Sequence, residues 1–218
     1  KVIIFYNFMK KISVKIDHKE LMVNFWETSH ENPRGIFYIH HGMAEHIDRY
    51  SYFATQLNQR GYHVVGHNHL GHGNNKENGQ GIFARKEGWV KVCAEASVIC
   101  DHFFNLFPEI PSYVFGHSMG SFVAINTIKK VKNLDGIFLT GTFLPSKGQL
   151  FFLRALLLFE KIIFRINENS KIHKINFQRL NSAFKNTRTD FDWLANDNSV
   201  VDKYINDPDC GFVCSNSL

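Results

Sequence analysis

The sequence is poor in the residues that mark small secreted or fibrous proteins, with five prolines, four cysteines and no internal repeat among 218 residues. The spacing of Cys93, Cys100, Cys210 and Cys214 is not that of a disulfide framework, so we expect free thiols in a reducing compartment. The apolar segment Val2–Phe8 is too short to span a bilayer and lacks a small-residue cleavage site, so no signal peptide is expected. We therefore expect a cytoplasmic protein, with or without membrane association.

Charge of one sign is not concentrated anywhere in the chain. The 25 Lys and Arg residues against 20 Asp and Glu residues give a net charge of +5, and they are scattered. Nucleic-acid binding is typical of a basic stripe with interleaved aromatic residues, so we expect no nucleic-acid partner. Hydrophobic residues make up 44% of the chain, which suffices for the core of one large domain. The composition gives no prediction of oligomeric state.

Short apolar runs alternate with amphipathic ones over the first two thirds of the chain. Ile12–Ile16 and Leu21–Trp26 predict an antiparallel hairpin. The further predicted strands are Gly35–His40, Tyr62–Gly66, Ser112–Gly116 and Gly136–Thr140, and the predicted helices are Tyr50–Gln59, Glu87–Phe107 and Met119–Lys130. Because strands that alternate with helices form crossover connections, we predict an α/β fold with a mostly parallel sheet and helices on both faces.

The pattern changes near residue 144. We divide the chain into residues 1–143, the N-terminal part of the core, and residues 144–218, a helical cap. Within the cap, Leu150–Ile166 is almost wholly apolar but carries four charges, which argues against a transmembrane helix. Such a segment is either a buried helix or a lid whose apolar face covers a lipid pocket and contacts membranes. We favour the lid.

Gly116-His117-Ser118-Met119-Gly120 is a G-x-S-x-G motif between a predicted strand and a predicted helix. In this context the motif is typical of a sharp turn that presents a nucleophilic serine at the carboxyl edge of the sheet. A chance glycine–serine turn is the alternative. We predict Ser118 as the catalytic nucleophile and Gly116, His117 and Gly120 as the turn, or elbow, that holds it.

An acyl-transfer site also requires two backbone N–H groups aimed at the developing negative charge. One would come from Met119, the residue after the nucleophile. The second would come from residues 41–46, the loop that follows the strand Gly35–His40. Within this oxyanion loop, Met43 is the candidate donor through its N–H group.

These motifs together resemble a known family. Residues 41–50 resemble the HGxxEHxxRY stretch of monoacylglycerol lipases and lysophospholipases, which are grouped with serine aminopeptidase-like hydrolases. Residues 71–73 match their GHG loop, GHSMG matches their elbow, and residues 176–212 resemble the cap of bacterial members. The resemblance implies an α/β-hydrolase fold, a small lipid ester as substrate, an acyl-enzyme on Ser118, and no cofactor.

The chain departs from the family pattern at Asn68, Asn75 and Ser121, where many relatives have Asp, Ser and Gly. A serine nucleophile also needs a histidine base oriented by a carboxylate, in the chain order serine, acid, histidine. His173 is the only histidine after Ser118 and lies in the cap-like region, where no aspartate follows an apolar strand. The triad acid and base are therefore unassigned, and we expect a chain truncated at its C-terminus that lacks the last strand–helix units.

Residues 67–72 offer a second chemistry, because they resemble the H-x-H-x-D-H run of metallo-β-lactamase-like hydrolases. Gly71 replaces the aspartate of that run, so we expect no metal site. The histidines are better explained as loop residues whose ring nitrogens bind the backbone.

Three functional hypotheses follow. The first is a serine hydrolase that cleaves esters of single-chain lipids, such as a monoacylglycerol or a lysophospholipid, with possible contact between the cap and membranes. The second is a catalytically incomplete pseudo-enzyme or gene remnant that lacks the triad acid and base. The third is a peptidase or another acyl transfer on the same fold, because a fold does not fix the substrate.

Overall fold

The computed structural model describes residues 9–16, 19–132, 134–164 and 170–216, so Val2–Phe8 and the last two residues of the segment Leu150–Ile166 lie outside it. The strands are β1 (Met9–Ile16), β2 (Lys19–Trp26), β3 (Gly35–His40), β4 (Tyr62–His67), β5 (Ser112–His117) and β6 (Gly136–Thr140). They form one sheet in the order β1-β2-β4-β3-β5-β6. The β1–β2 and β2–β4 pairs are antiparallel and the other three are parallel, which confirms a mostly parallel sheet.

The central strand β3 is buried along its whole length because helices cover both faces of the sheet. Ile36 and Tyr38 pack in one core cluster with residues of the long helix over Gly88–Leu106. Phe37 and Ile39 point the opposite way and pack with Ala54 of a short helix. Alternate side chains of one strand thus enter two cores, as the twofold repeat of a strand requires.

The helices of the core begin and end close to the predicted positions. They are α1 (Ser51–Asn58), α2 (Gly88–Leu106) and α3 (Met119–Thr127), and a 3-10 turn over Ile47–Tyr50 precedes α1. Helix α2 ends before Pro108, which cannot continue a helix. All four cysteines are free and buried.

Three helices follow β6: α4 (Lys147–Phe164), α5 (Lys171–Asn181) and α6 (Asn198–Ile205). Helix α4 exposes most of its apolar side chains to solvent, with Phe151 77% and Ile162 72% exposed, so the buried-helix interpretation of this segment is wrong. Its Glu160 is buried and accepts hydrogen bonds from the Ser170 hydroxyl (2.7 Å) and the Lys171 N–H (2.8 Å), which joins α4 to α5. Within the described ranges, no helix combines the length and apolarity needed to cross a bilayer.

The segment after α6 returns to the loops of the core. The N–H of Gly211 (2.9 Å) and the Tyr204 hydroxyl (2.8 Å) both donate to the carbonyl of Ala44, in the oxyanion loop. The N–H of Ser215 donates to the carbonyl of Gly81 (2.9 Å). The division into a core of residues 1–143 and a cap of residues 144–218 stays a prediction.

Candidate active site

Ser118 occupies the junction between β5 and α3 in a conformation that non-glycine residues rarely adopt. Its φ is 52° and its ψ is −118°, a strained combination that costs on the order of 1–3 kcal/mol. The surrounding backbone holds it there: the Ser118 N–H donates to the carbonyl of Thr140 (2.9 Å). The Ser118 carbonyl in turn accepts from both the N–H (2.9 Å) and the hydroxyl (2.6 Å) of Ser121. Ser121, a departure from the family pattern, thus helps to hold the turn.

Glycine flanks Ser118 on both sides because the chain has no room for a side chain there. A Cβ atom on Gly120 would lie 2.1 Å from the carbonyl oxygen of His40, at the end of β3. A Cβ on Gly116 would lie 2.5 Å from the carbonyl oxygen of Gly120. The first turn of α3 therefore lies directly against the strand that leads into the oxyanion loop.

The oxyanion loop lies beside the elbow. His117 is half-buried, with its Nδ1 3.0 Å from the Thr140 hydroxyl, and a Cβ on Gly42 would lie 3.4 Å from the His117 ring. The structure therefore brings together the two segments that the sequence analysis assigned to the site, although they are about 70 residues apart in the chain.

The N–H groups of Met43 and Met119 are both available to an acceptor. On either side of Met43, the Gly42 N–H donates to Glu45 Oε1 (2.6 Å) and the Ala44 N–H donates to His72 Nε2 (3.1 Å). Among the described residues, the N–H of Met43 meets no acceptor. Met119 begins α3, so its N–H has no acceptor within the helix, and a helix N-terminus favours negative charge. Their role as the oxyanion hole stays a prediction.

Glu45 holds the oxyanion loop in shape. This buried carboxylate accepts from the Gly42 N–H (2.6 Å), the Tyr50 hydroxyl (2.8 Å) and the Arg49 Nε (3.0 Å). The guanidinium of Arg49 also lies over the Tyr204 ring, 4.7 Å from its centroid. The HGxxEHxxRY stretch is therefore one hydrogen-bonded unit, a role that the motif's spacing alone did not reveal.

Five buried histidines lie behind the oxyanion loop and make ring contacts with one another. This histidine cluster consists of His40, His41, His67, His69 and His72. Burial lowers the pKa of each, to about 3 for His41, His67 and His72. Neutral His72 accepts from the Ala44 N–H at Nε2 and donates from Nδ1 to the Leu70 carbonyl (2.9 Å). The GHG loop thus supports the oxyanion loop.

The only histidine after Ser118 in the sequence contacts the oxyanion loop. On α5, His173 accepts from the Cys214 N–H at Nδ1 (3.0 Å), and its Nε2 lies 2.6 Å from the Met43 sulfur. Burial lowers the pKa of His173 to about 4. In the described part of the chain, no histidine ring is hydrogen-bonded to the Ser118 hydroxyl.

Two aspartates of the cap-like region have partners other than a histidine. Asp197 caps α6 through the Ser199 N–H (2.8 Å). Asp202 pairs with Arg188 (2.6 Å). The acid and base of a triad therefore stay unassigned.

Comparison with known proteins agrees with this architecture. Residues 31–218 match the family described as serine aminopeptidase, S33. The monoglyceride lipase of Rattus norvegicus is 29% identical over 119 residues, which cover 51% of this chain and 35% of the rat protein. Phospholipase YtpA of Bacillus subtilis (strain 168) is 29% identical over 119 residues, which cover 53% of this chain and 43% of that protein. The chain thus spans less than half the length of these two relatives.

A solved structure shows the same fold. The carboxyl esterase of Bacillus coagulans matches 94% of this chain and 67% of its own chain, with a TM-score of 0.81 and 22% sequence identity. The strand order, the serine turn between β5 and α3, and the family match over most of the chain agree with one another. The chain belongs to the serine aminopeptidase S33 family and has the α/β-hydrolase fold.

Proposed function

We propose that the chain carries the nucleophile part of a serine hydrolase that cleaves carboxylic esters of single-chain lipids, such as a monoacylglycerol or a lysophospholipid. The observation that carries the proposal is the strained Ser118 turn, held against the oxyanion loop at the carboxyl edge of the sheet. The names of the rat and Bacillus relatives, a monoglyceride lipase and a phospholipase, support this substrate class.

The proposed reaction runs through an acyl-enzyme. The Ser118 hydroxyl attacks the acyl carbon, and its proton passes to a base that then protonates the leaving alcohol. The N–H groups of Met43 and Met119 stabilise the oxyanion of each tetrahedral intermediate. Water then attacks the acyl-enzyme, which releases the fatty acid and restores Ser118.

The nucleophile is tested by Ser118→Ala in the natural protein, with a monoacylglycerol as substrate. We expect kcat to fall by about a millionfold, the loss typical of removing a serine nucleophile. The matched control is Ser97→Ala, because Ser97 is a buried serine of α2 that donates to the Cys93 carbonyl (2.7 Å), away from the elbow. Hydrolysis that survives Ser118→Ala overturns the assignment.

The hypothesis of a catalytically incomplete chain has its own support. Among the described residues, no hydrogen bond joins the Ser118 hydroxyl to a histidine ring. On that hypothesis the protein binds a lipid ester without turnover, and a fluorophosphonate leaves Ser118 unmodified. Fluorophosphonate labelling of the natural protein that disappears in Ser118→Ala rules it out.

A comparison of substrates distinguishes lipid-ester hydrolysis from the hypothesis of a peptidase or other acyl transfer. A monoacylglycerol, a lysophospholipid and an aminoacyl amide are offered to the natural protein at equal concentration. We expect the two lipid esters to be cleaved with the higher kcat/KM. Preference for the amide overturns the lipid assignment but leaves Ser118 as the nucleophile.

We further propose that the cap contacts the surface of membranes through α4. Phe151 (77%), Phe152 (65%) and Phe159 (63%) are strongly exposed on this helix, and the sequence adds Lys147, Arg154 and Lys161. Exposed aromatic residues next to basic ones favour the interface of an anionic bilayer. The apolar surface would also let a lipid substrate pass from the membrane toward Ser118.

A further inference from the structure

Three side chains of different chemistry meet where the oxyanion loop touches the segment after α6. They are His46, Asp207 and Cys210, and one ligand atom from each lies within 4.8 Å of the other two. His46 Nε2 lies 2.8 Å from Asp207 Oδ2. The side chains of His46 and Asp207 are 14% and 31% exposed, and Cys210 is buried, so an ion could reach the group from solvent.

We propose that His46, Asp207 and Cys210 form a zinc site. Imidazole nitrogen, carboxylate oxygen and thiolate sulfur are the three protein ligands that Zn²⁺ takes, in a tetrahedron whose fourth position holds water. The thiolate disfavours Mg²⁺ and Ca²⁺, which take oxygen ligands. The zinc proposal does not rest on the proposed function, because none of the three ligands supplies the nucleophile or an oxyanion N–H group.

The protons of the three ligands can be accounted for. In the metal-free protein, a hydrogen bond joins His46 Nε2 and Asp207 Oδ2 (2.8 Å), with the proton on Nε2 in one tautomer of the ring. When zinc binds Nε2 of that tautomer, the proton moves to Nδ1, which lies 3.9 Å from Asp48 Oδ2. The Cys210 thiol releases its proton to solvent, so one proton leaves for each zinc ion bound.

The surroundings of Cys210 have opposing effects on the pKa of its thiol. Burial raises the pKa of its thiol to about 12, and this cost must be met by the zinc–sulfur bond. The nearby Arg49 guanidinium lowers the same pKa and so favours the thiolate. Because Arg49 is paired with Glu45 (3.0 Å), its charge is partly neutralised and does not by itself exclude a cation.

Zinc would link two segments that are about 160 residues apart in the chain. The Gly211 N–H and the Tyr204 hydroxyl already bind the carbonyl of Ala44, so the ion would reinforce an existing contact. A ligand that binds only the folded state raises the melting temperature. None of the three residues belongs to a local metal motif.

The test is a titration of the natural protein with Co²⁺, a spectroscopic substitute for Zn²⁺. We expect one Co²⁺ per chain, a thiolate-to-cobalt charge-transfer band in the near ultraviolet, and loss of that band when Zn²⁺ is added. Zn²⁺ should also raise the melting temperature. Absence of the charge-transfer band overturns the proposal.

Two variants locate the site. Cys210→Ala should abolish the charge-transfer band, whereas Cys93→Ala, which removes a buried cysteine of α2, should keep it. Asp207→Asn keeps the shape of the side chain and should weaken Zn²⁺ binding at least tenfold. If Cys210→Ala fails to fold, as circular dichroism would show, Asp207→Asn decides, and unchanged affinity in that variant overturns the site.

Discussion

Gly120 lies where the first turn of α3 crosses the end of β3, with 2.1 Å between the position of a Cβ and the His40 carbonyl oxygen. The atoms nearest that position are backbone atoms, so no side-chain rotation could relieve the clash. At the scale of the residue, the elbow therefore depends on the absence of one methyl group as much as on the presence of Ser118.

Gly120→Ala should lower the free energy of unfolding by about 1–3 kcal/mol, because the methyl group forces α3 away from β3. Urea denaturation followed by circular dichroism measures the change. The control is Gly148→Ala on α4, where a Cβ meets no atom within 4 Å, and which should shift stability by at most about 1 kcal/mol. Equal stability of the two variants would contradict the close approach at Gly120.

At the scale of the residue, the sequence predicts where a functional residue lies better than it predicts which residues that residue contacts. G-x-S-x-G predicts the turn at Ser118 because a local motif has a local geometry. Glu45 could not be assigned the same way, since its buried carboxylate is satisfied by atoms that only the folded loop assembles. The contact between His173 and Met43 joins residues 130 positions apart, and nothing in the spacing indicates it.

At the scale of the element, hydrophobic periodicity was sufficient for the core. The predicted bounds of β3 and β6 agree with the structure because each strand is a short apolar run bounded by polar or glycine residues. The same periodicity could not decide whether α4 is buried, because an apolar helix does not indicate what covers it. Helices α5 and α6 were not predicted individually, although Ser170 and Asp197 cap their first turns.

If α4 contacts membranes, removing one of its exposed aromatic side chains should weaken binding to vesicles. Phe151→Ser should weaken binding to vesicles of phosphatidylcholine and phosphatidylglycerol at least about tenfold, because a buried phenylalanine contributes on the order of 1.5–3 kcal/mol. Co-sedimentation with the vesicles measures it. Tyr52→Ser is the control, because Tyr52 on α1 is also 77% exposed but lies outside the cap. If both substitutions weaken binding equally, α4 is not the contact.

At the scale of the whole molecule, the histidine cluster makes stability depend on pH. Each buried ring has a folded-state pKa below its unfolded value of about 6.5, so the unfolded chain binds more protons. The free energy of unfolding is therefore largest at neutral pH and falls as the pH drops below about 6.5. Because several rings titrate together, the slope should exceed the limit of about 1.4 kcal/mol per pH unit for a single histidine.

Urea denaturation at a series of pH values between neutral and about 4 checks this slope. His69→Leu should reduce the slope by up to about 1.4 kcal/mol per pH unit, the contribution of one proton. The His69 ring nitrogens have no hydrogen-bond partner in the described part of the chain, so leucine leaves no acceptor unpaired. His102→Gln, on the exposed face of α2, should leave the slope unchanged. An unchanged slope in His69→Leu would mean that the cluster does not carry the effect.

The burial of all four cysteines has a practical consequence for spectroscopy. A thiol reagent needs an accessible sulfur, so the native chain offers little background reaction. Gly148→Cys would place one reactive thiol in open space near the start of α4. A nitroxide attached there would report the motion of α4. The rate at which the nitroxide loses mobility after vesicles are added would give the rate at which the cap binds the membrane.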